Sequence, residues 1–281
     1  TRIVGFYEVQ GTGNETIYAR LYSSARPCLI ENEDDLKLLR DKVNYGPEAW
    51  RNGHFKLGRM DGAEIAPVTL RLYGWQDGIG ISSSTGGTPF KGTFDGNKDA
   101  GCKIIFGTDN SSGSEKYSYR SLFDYVGTGG TVKNVNVEGN FYTVVSGFGG
   151  VVGKNEGAVD NCNFKGIIHS VWSESNTVGG IVGNNVGTVS DCTLGEGTII
   201  NAVNPKGVSF VGGIAGKNSG TLAGGAAITG VTITGGDNTG GIVGENIGAV
   251  SGWTLIDSLI IGHVSSINGG KIGGIAGAHN S

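Results

Sequence analysis

The sequence predicts an all-β fold, a right-handed parallel β-solenoid, and three observations carry that expectation. A block of Gly-Gly, two aliphatics, Gly, any residue and Asn occurs as GGVVGKN from Gly149, GGIVGNN from Gly179, GGIAGKN from Gly212 and GGIVGEN from Gly240, with a degenerate copy, GGIAGAH, from Gly273. The starts lie 30, 33, 28 and 33 residues apart, and a period in that range marks a stacked, quasi-one-dimensional architecture. Chemistry also repeats outside the blocks: Val159, Val189, Leu222 and Val250 share one offset, and Cys162, Cys192, Gly225 and Trp253 share another. Thirdly, short aliphatic runs broken every few residues by Gly, Asn or Ser have no 3.6-residue spacing, and interior Gly costs a helix about 1 kcal/mol per site.

In such a stack each side chain lies about 4.8 Å from its equivalent in the next coil, so one apolar type per position becomes a continuous core column. Val151, Ile181, Ile214, Ile242 and Ile275 are predicted to form one column. Asn155, Asn185, Asn218 and Asn246, each followed two positions later by Gly157, Gly187, Gly220 and Gly248, are assigned as structural turn residues, because Gly and Asn tolerate positive φ. An anion or calcium site at the same corners is the weaker reading. The Asp-containing nonapeptide of calcium-binding solenoids is absent, and Gly153-Lys154 and Gly216-Lys217 lack the Ser or Thr and the upstream Gly of a phosphate loop.

Upstream of the clear repeats, which span residues 121–281, the pattern changes. Residues 1–27 alternate on either side of Gly11 to Asn14 and are expected to form a β-hairpin. Residues 28–47 hold the one clear helix: Leu36, Leu39 and Val43 share a face, Glu33, Asp34 and Asp35 lie in the first turn, Arg40 and Lys42 in the last, and Gly46 follows as a stop. A helix ahead of a solenoid assigned to 48–281 is well placed to cover its open end, where unpaired strand edges invite aggregation.

Composition narrows the partners. The 54 Gly in 281 residues are nearly three times average usage, while 5 Pro argue against collagen and Pro-rich disorder. With 21 basic and 25 acidic residues and a net charge of −4, the chain has no electrostatic footprint for nucleic acid. No apolar run is long enough for a membrane-inserting helix. Cys28, Cys102, Cys162 and Cys192 lack zinc-site spacing, so neither a metal nor a cofactor is expected. The parallel Cβ vectors of stacked Cys162 and Cys192 predict buried thiols rather than a disulfide.

The run PFKGTFDGN from Pro89, the run RSLFDYVGTGGTVKNVNVEG from Arg120 and the Gly-Gly blocks together resemble the GLUG-repeat proteins of bacterial surfaces. DDLKLLRDKVN, Asp34 to Asn44, and HFKL, His54 to Leu57, are similar to that family's capping helix and first strand. The resemblance covers residues ~28–281. It implies an extracellular or bacterial cell-surface location and an adhesin-like or accessory role, in some members beside a metallopeptidase domain. Two departures stand out: Gly58-Arg59-Met60 replaces a Thr-Ala-Asp-like stretch, and Asp124 stands where Gly is usual.

Parallel β-helices also host polysaccharide-active enzymes, which need converging carboxylates. Here Asp160, Asp191, Glu156 and Glu245 fall at different offsets, and His54, His169, His263 and His279 are far apart, with no HExxH. Binding is the favoured reading, to a host or environmental glycan or an extracellular protein. Trp172, Tyr117 and Tyr119, in polar stretches, are the candidate contacts. A structural spacer or accessory region of a larger surface protein, and a polysaccharide-active enzyme, are the alternatives.

Overall fold

The computed structural model describes residues 27–82, 87–107, 120–171, 176–202, 208–262 and 271–279. The expected N-terminal hairpin, apart from Pro27, lies outside them, as do Tyr117, Tyr119, Trp172 and His263. Each repeat coil carries four short strands. In the coil that opens at Gly149 these are Val152–Asn155, Ala158–Asp160, Asn163–Ser170 and Asn176–Gly179. Each pairs in parallel with its equivalents above and below, so four stacked sheets, numbered here first to fourth in that order, form a β-solenoid of about seven turns.

The register follows the repeat residue by residue. Val152 pairs with Val182, Val182 with Ala215 and Ala215 with Val243 in the first sheet; Val159 pairs with Val189 and Val189 with Leu222 in the second. Val151, Ile181, Ile214 and Ile242 make the predicted column, all fully buried. The N–H of each donates to the carbonyl of the next, at 3.1, 3.1 and 2.9 Å, and Ile242 donates to Ile275. Ile275 itself is 41% exposed, because no described coil lies beneath it. The core changes character along the axis. Its upper part is aromatic, with Phe90, Phe94, Phe106, Phe123, Phe141 and Phe148 in tilted or edge-on contact at centroid distances of 4.8–5.3 Å, whereas the lower coils are filled by Val, Ile and Leu.

All four cysteines are buried and free. The Cys162 N–H donates to the Cys192 sulfur at 3.4 Å. Burial pushes the Cys28 thiol up to about 12 and the Cys192 thiol well above its usual range, so both stay protonated. The aligned set breaks lower down. Residues 224–227 belong to no strand between Thr221–Ala223 and Ile228–Thr229, and Gly225 is exposed.

The helix, α1, spans Glu33–Tyr45, with Asn32 accepting the Asp35 N–H at 3.1 Å as its N-cap. Leu36, Leu39 and Val43 are buried against the uppermost coil. Polar side chains finish the seal on that coil's open backbone groups: Glu33 accepts the Arg71 N–H at 3.0 Å, and Asn44 donates to the Gly78 carbonyl and accepts the Gly80 N–H at 2.8 Å. The stack begins earlier than residue 48. Cys28–Ile30, upstream of α1, pairs in parallel with His54–Leu57 and forms the top strand of the second sheet, so α1 is a crossing between two strands of the stack. The irregular stretch after HFKL is an exposed antiparallel hairpin, Arg59–Asp61 with Glu64–Ala66, before the chain rejoins the stack at Thr69–Leu72.

The corners are built differently from the expectation. None of Asn155, Asn185, Asn218, Asn246 or the glycines two residues on has positive φ; Asn97, Asn134, Asn161 and Asp191, between the second and third sheets, do. The four Asn are buried at the ends of first-sheet strands and form a ladder. Asn155 Nδ2 donates to Asn185 Oδ1 at 2.8 Å, Asn185 to Asn218 at 2.7 Å and Asn218 to Asn246 at 2.7 Å. The same Nδ2 groups reach the carbonyls of Thr188, Thr221 and Ala249 in the coil below. Asn155 and Asn218 also accept the N–H two residues on, an Asx turn that shapes the corner.

Close approach explains the block's glycines. A Cβ on Gly180 would strike the Gly213 carbonyl, and one on Gly183 would lie 2.5 Å from the Gly147 carbonyl carbon and 2.7 Å from the Gly153 oxygen. The fourth sheet packs directly on the Gly column of the first.

Two substitutions test this lattice. Asn185→Ala strips partners from two buried amides and is expected to cost about 2 to 3 kcal/mol, measured by urea unfolding. Ile214→Asp places an unpaired charge in a sealed column and is expected to lose more than about 4 kcal/mol; a wild-type melting curve for that variant contradicts the column.

Candidate functional site

Two exchanges of residue type in this otherwise regular lattice open a polar cleft. The Gly column of the first sheet runs Gly153, Gly183, Gly216, Gly244 and Gly277, and the register that pairs Phe123 with Val152 and Tyr125 with Lys154 puts Asp124 at its top. In the fourth sheet, Thr177 and Phe210 are paired, and the match of Phe148 with Val178 places Gly147 in the same column. A side chain appears where the repeat has none, and space appears where it has a side chain.

Lower down the position is closed: Lys217 lies over the Phe210 ring at 3.7 Å and pairs with Glu245 at 3.1 Å. At the top, with Gly147 in place of Phe210, Lys154 swings over the Tyr125 ring at 4.6 Å and pairs with Glu156 at 2.7 Å. The opening left has room for about 90 Å³ and is lined by Ser82, Arg120, Asp124, Ser146, Lys154 and Asn184, among others.

Asp124 is the most perturbed group there. Its side chain is only 16% exposed, and both of its contacts fall on Oδ2: the Gly78 N–H donates to it at 3.3 Å, and Arg120 stands 3.6 Å away. Among the described residues Oδ1 carries no hydrogen bond. Burial, aided by Asp77, outweighs Arg120 and the Gly78 N–H and pushes the carboxyl up to about 6. Around Lys154 the balance runs the other way. The Lys154 and Tyr125 hydrogen bonds hold the Glu156 carboxyl below its usual range, the Glu156 bond raises Lys154, and burial and Glu156 raise the Tyr125 hydroxyl. Lys154 and Glu156 are therefore both charged near neutrality.

Other groups singled out by the sequence stay apart. His54 lies in the second sheet, His169 in the third and His279 in the first, where its ring meets Asn246 at 3.0 Å and ends the Asn ladder. Trp75 is buried with its Nε1 donating to the Ser121 carbonyl at 3.2 Å, and Trp253 packs partly against the core. Among the described residues no three His, Cys, Asp or Glu side chains gather as a metal site, and no helix is long and apolar enough to cross a membrane. Sequence reasoning assigned Arg120 and Asn184 no role and weighed Lys154 only as part of a phosphate loop, which it rejected; the signal nearest to them was Asp124 itself, the departure from Gly in LFDYVG. No protein-family model, curated protein or solved structure matches this chain.

The shift at Asp124 sets a pH signature. The folded chain keeps its proton up to about pH 6 and the unfolded chain only to about 3.8, so the native state binds more protons between those values. Stability from this group is full below about 4 and is lost as pH rises through 6, by at most about 3 kcal/mol. Asp124→Asn is expected to be more stable than wild type at neutral pH, with the difference vanishing toward acid, as read from urea titrations across that range. An equal gain at every pH contradicts the assignment.

Proposed function

We propose that this chain is a non-catalytic, adhesin-like binding module of the GLUG-repeat type, secreted or displayed on a bacterial cell surface, whose partner is a glycan or an extracellular protein. The observation that carries the reading is the polar cleft at the one place where Asp interrupts the Gly column. A concave site with a few convergent polar groups on a rigid scaffold is the general form of a binding site. The scaffold supplies rigidity here because Asp124, Lys154 and Asn184 lie within strands held by coil-to-coil hydrogen bonds.

Binding without chemistry is favoured by how the charged groups are engaged. Lys154 is paired with Glu156, and Asp124 holds the Gly78 N–H beside Arg120. The GLUG-type reading draws on the Gly-Gly blocks, which take equivalent places in successive coils.

The test is a screen of the chain against immobilised glycans and extracellular-matrix proteins, run with wild type and with Trp172→Ala and Tyr117→Ala. A saturable, specific hit is expected. Folded protein that binds nothing on either surface sinks the binding reading and shifts the assignment to a structural spacer.

A further inference from the structure

The cleft's donors and acceptors narrow its ligand chemistry. Asp124 offers an acceptor oxygen, Oδ1, with no hydrogen bond among the described residues, inside a partly desolvated wall. Arg120 and Lys154 offer donors only, and Asn184 offers both kinds. An anion would meet the Asp124 carboxylate, and a cation would meet Arg120 and Lys154. A hydroxyl group suits both, since it donates one proton and accepts another. Two neighbouring hydroxyls can give a proton to Asp124 Oδ1 and accept from Arg120 or Asn184 at once. Size agrees: an opening of about 90 Å³ is several times the ~10–15 Å³ that a single water needs, so one edge of a sugar ring can enter while the ring itself lies across the surface.

Energetics point the same way. Asp at this position is a buried carboxyl without its full set of partners, in a column whose other members are Gly. Such a group costs stability where a Gly would not, and a ligand that completes its hydrogen bonds offsets that cost.

We propose that Arg120, Asp124, Lys154 and Asn184 form a saccharide-binding subsite that grips adjacent hydroxyls of a neutral sugar. This rests on the reading of the chain as a glycan-binding module.

The experiment is a nitrogen-15 NMR titration of the full chain at neutral pH with millimolar methyl mannoside, methyl galactoside and methyl glucoside. Fully O-methylated glucoside, which cannot donate, is the control. Saturable shifts are expected at the amides of Gly78, Gly147 and Gly153 with at least one glycoside, and none with the control. Binding is expected to weaken about tenfold or more in Asp124→Gly, which restores the residue of the lower coils, and in Arg120→Ala, whose side chain is 43% exposed. Two variants keep the test valid if one folds poorly. Absence of shifts at those amides with all three glycosides, or shifts that persist in both variants, overturns the subsite. If the glycan screen is positive while these amides stay still, binding lies elsewhere and only the subsite falls; if both are negative, the module reading falls with it.

Discussion

Coil-to-coil hydrogen bonding sets the terms for every other feature of this molecule. Because each strand pairs in parallel with its equivalent in the next coil, equivalent residues stand one strand spacing apart, about 4.8 Å. At that distance a column must either interlock or be absent. Aliphatic columns interlock by packing, the Asn column by donating amide to amide down the axis, and the Gly columns are absent so that backbones can touch. The Gly-rich composition is thus a consequence of packing the fourth sheet on the first, more than of turn geometry.

A lattice of this kind has a boundary problem, since the outermost coil has no neighbour to bond. At the upper end the chain meets it with α1, whose apolar face covers the core while Glu33 and Asn44 take over the bonds that another coil would make. The helix is acidic where its N–H groups are free and ends in Lys42 and Gly46, so its own termini are satisfied as it seals those of the sheet. The aromatic core lies just beneath it, in the part of the stack that also carries the inserted hairpin.

The cleft shows the cost of departing from the lattice. Asp124 in place of Gly gives up close packing and buries a carboxyl that holds its proton to about pH 6. Gly147 in place of Thr177 or Phe210 gives up a covering side chain. Each change alone would be a defect. Together they leave an opening with donors and acceptors around it.

Much of this was legible in the sequence. Period, strand columns, capping helix and buried thiols follow from residue types at fixed offsets, because in a stacked fold translation along the chain is translation along the axis. Asp124 could even be marked as out of place. What Asn155, Asn185, Asn218 and Asn246 do was not legible: a repeated Asn reads equally as a left-handed corner or a buried ladder, and only the inward turn of the side chain distinguishes them. Arg120, four residues before Asp124, was within reach of a sequence reading. The meeting of Asp124 with Gly147 and Asn184 was not, because these come from other strands and only the packing of the fourth sheet on the first brings them together. The sequence by itself determined the coil and its repetition, since these need only periodicity; the tertiary structure alone decided which departures meet, since that depends on one sheet folding back over another.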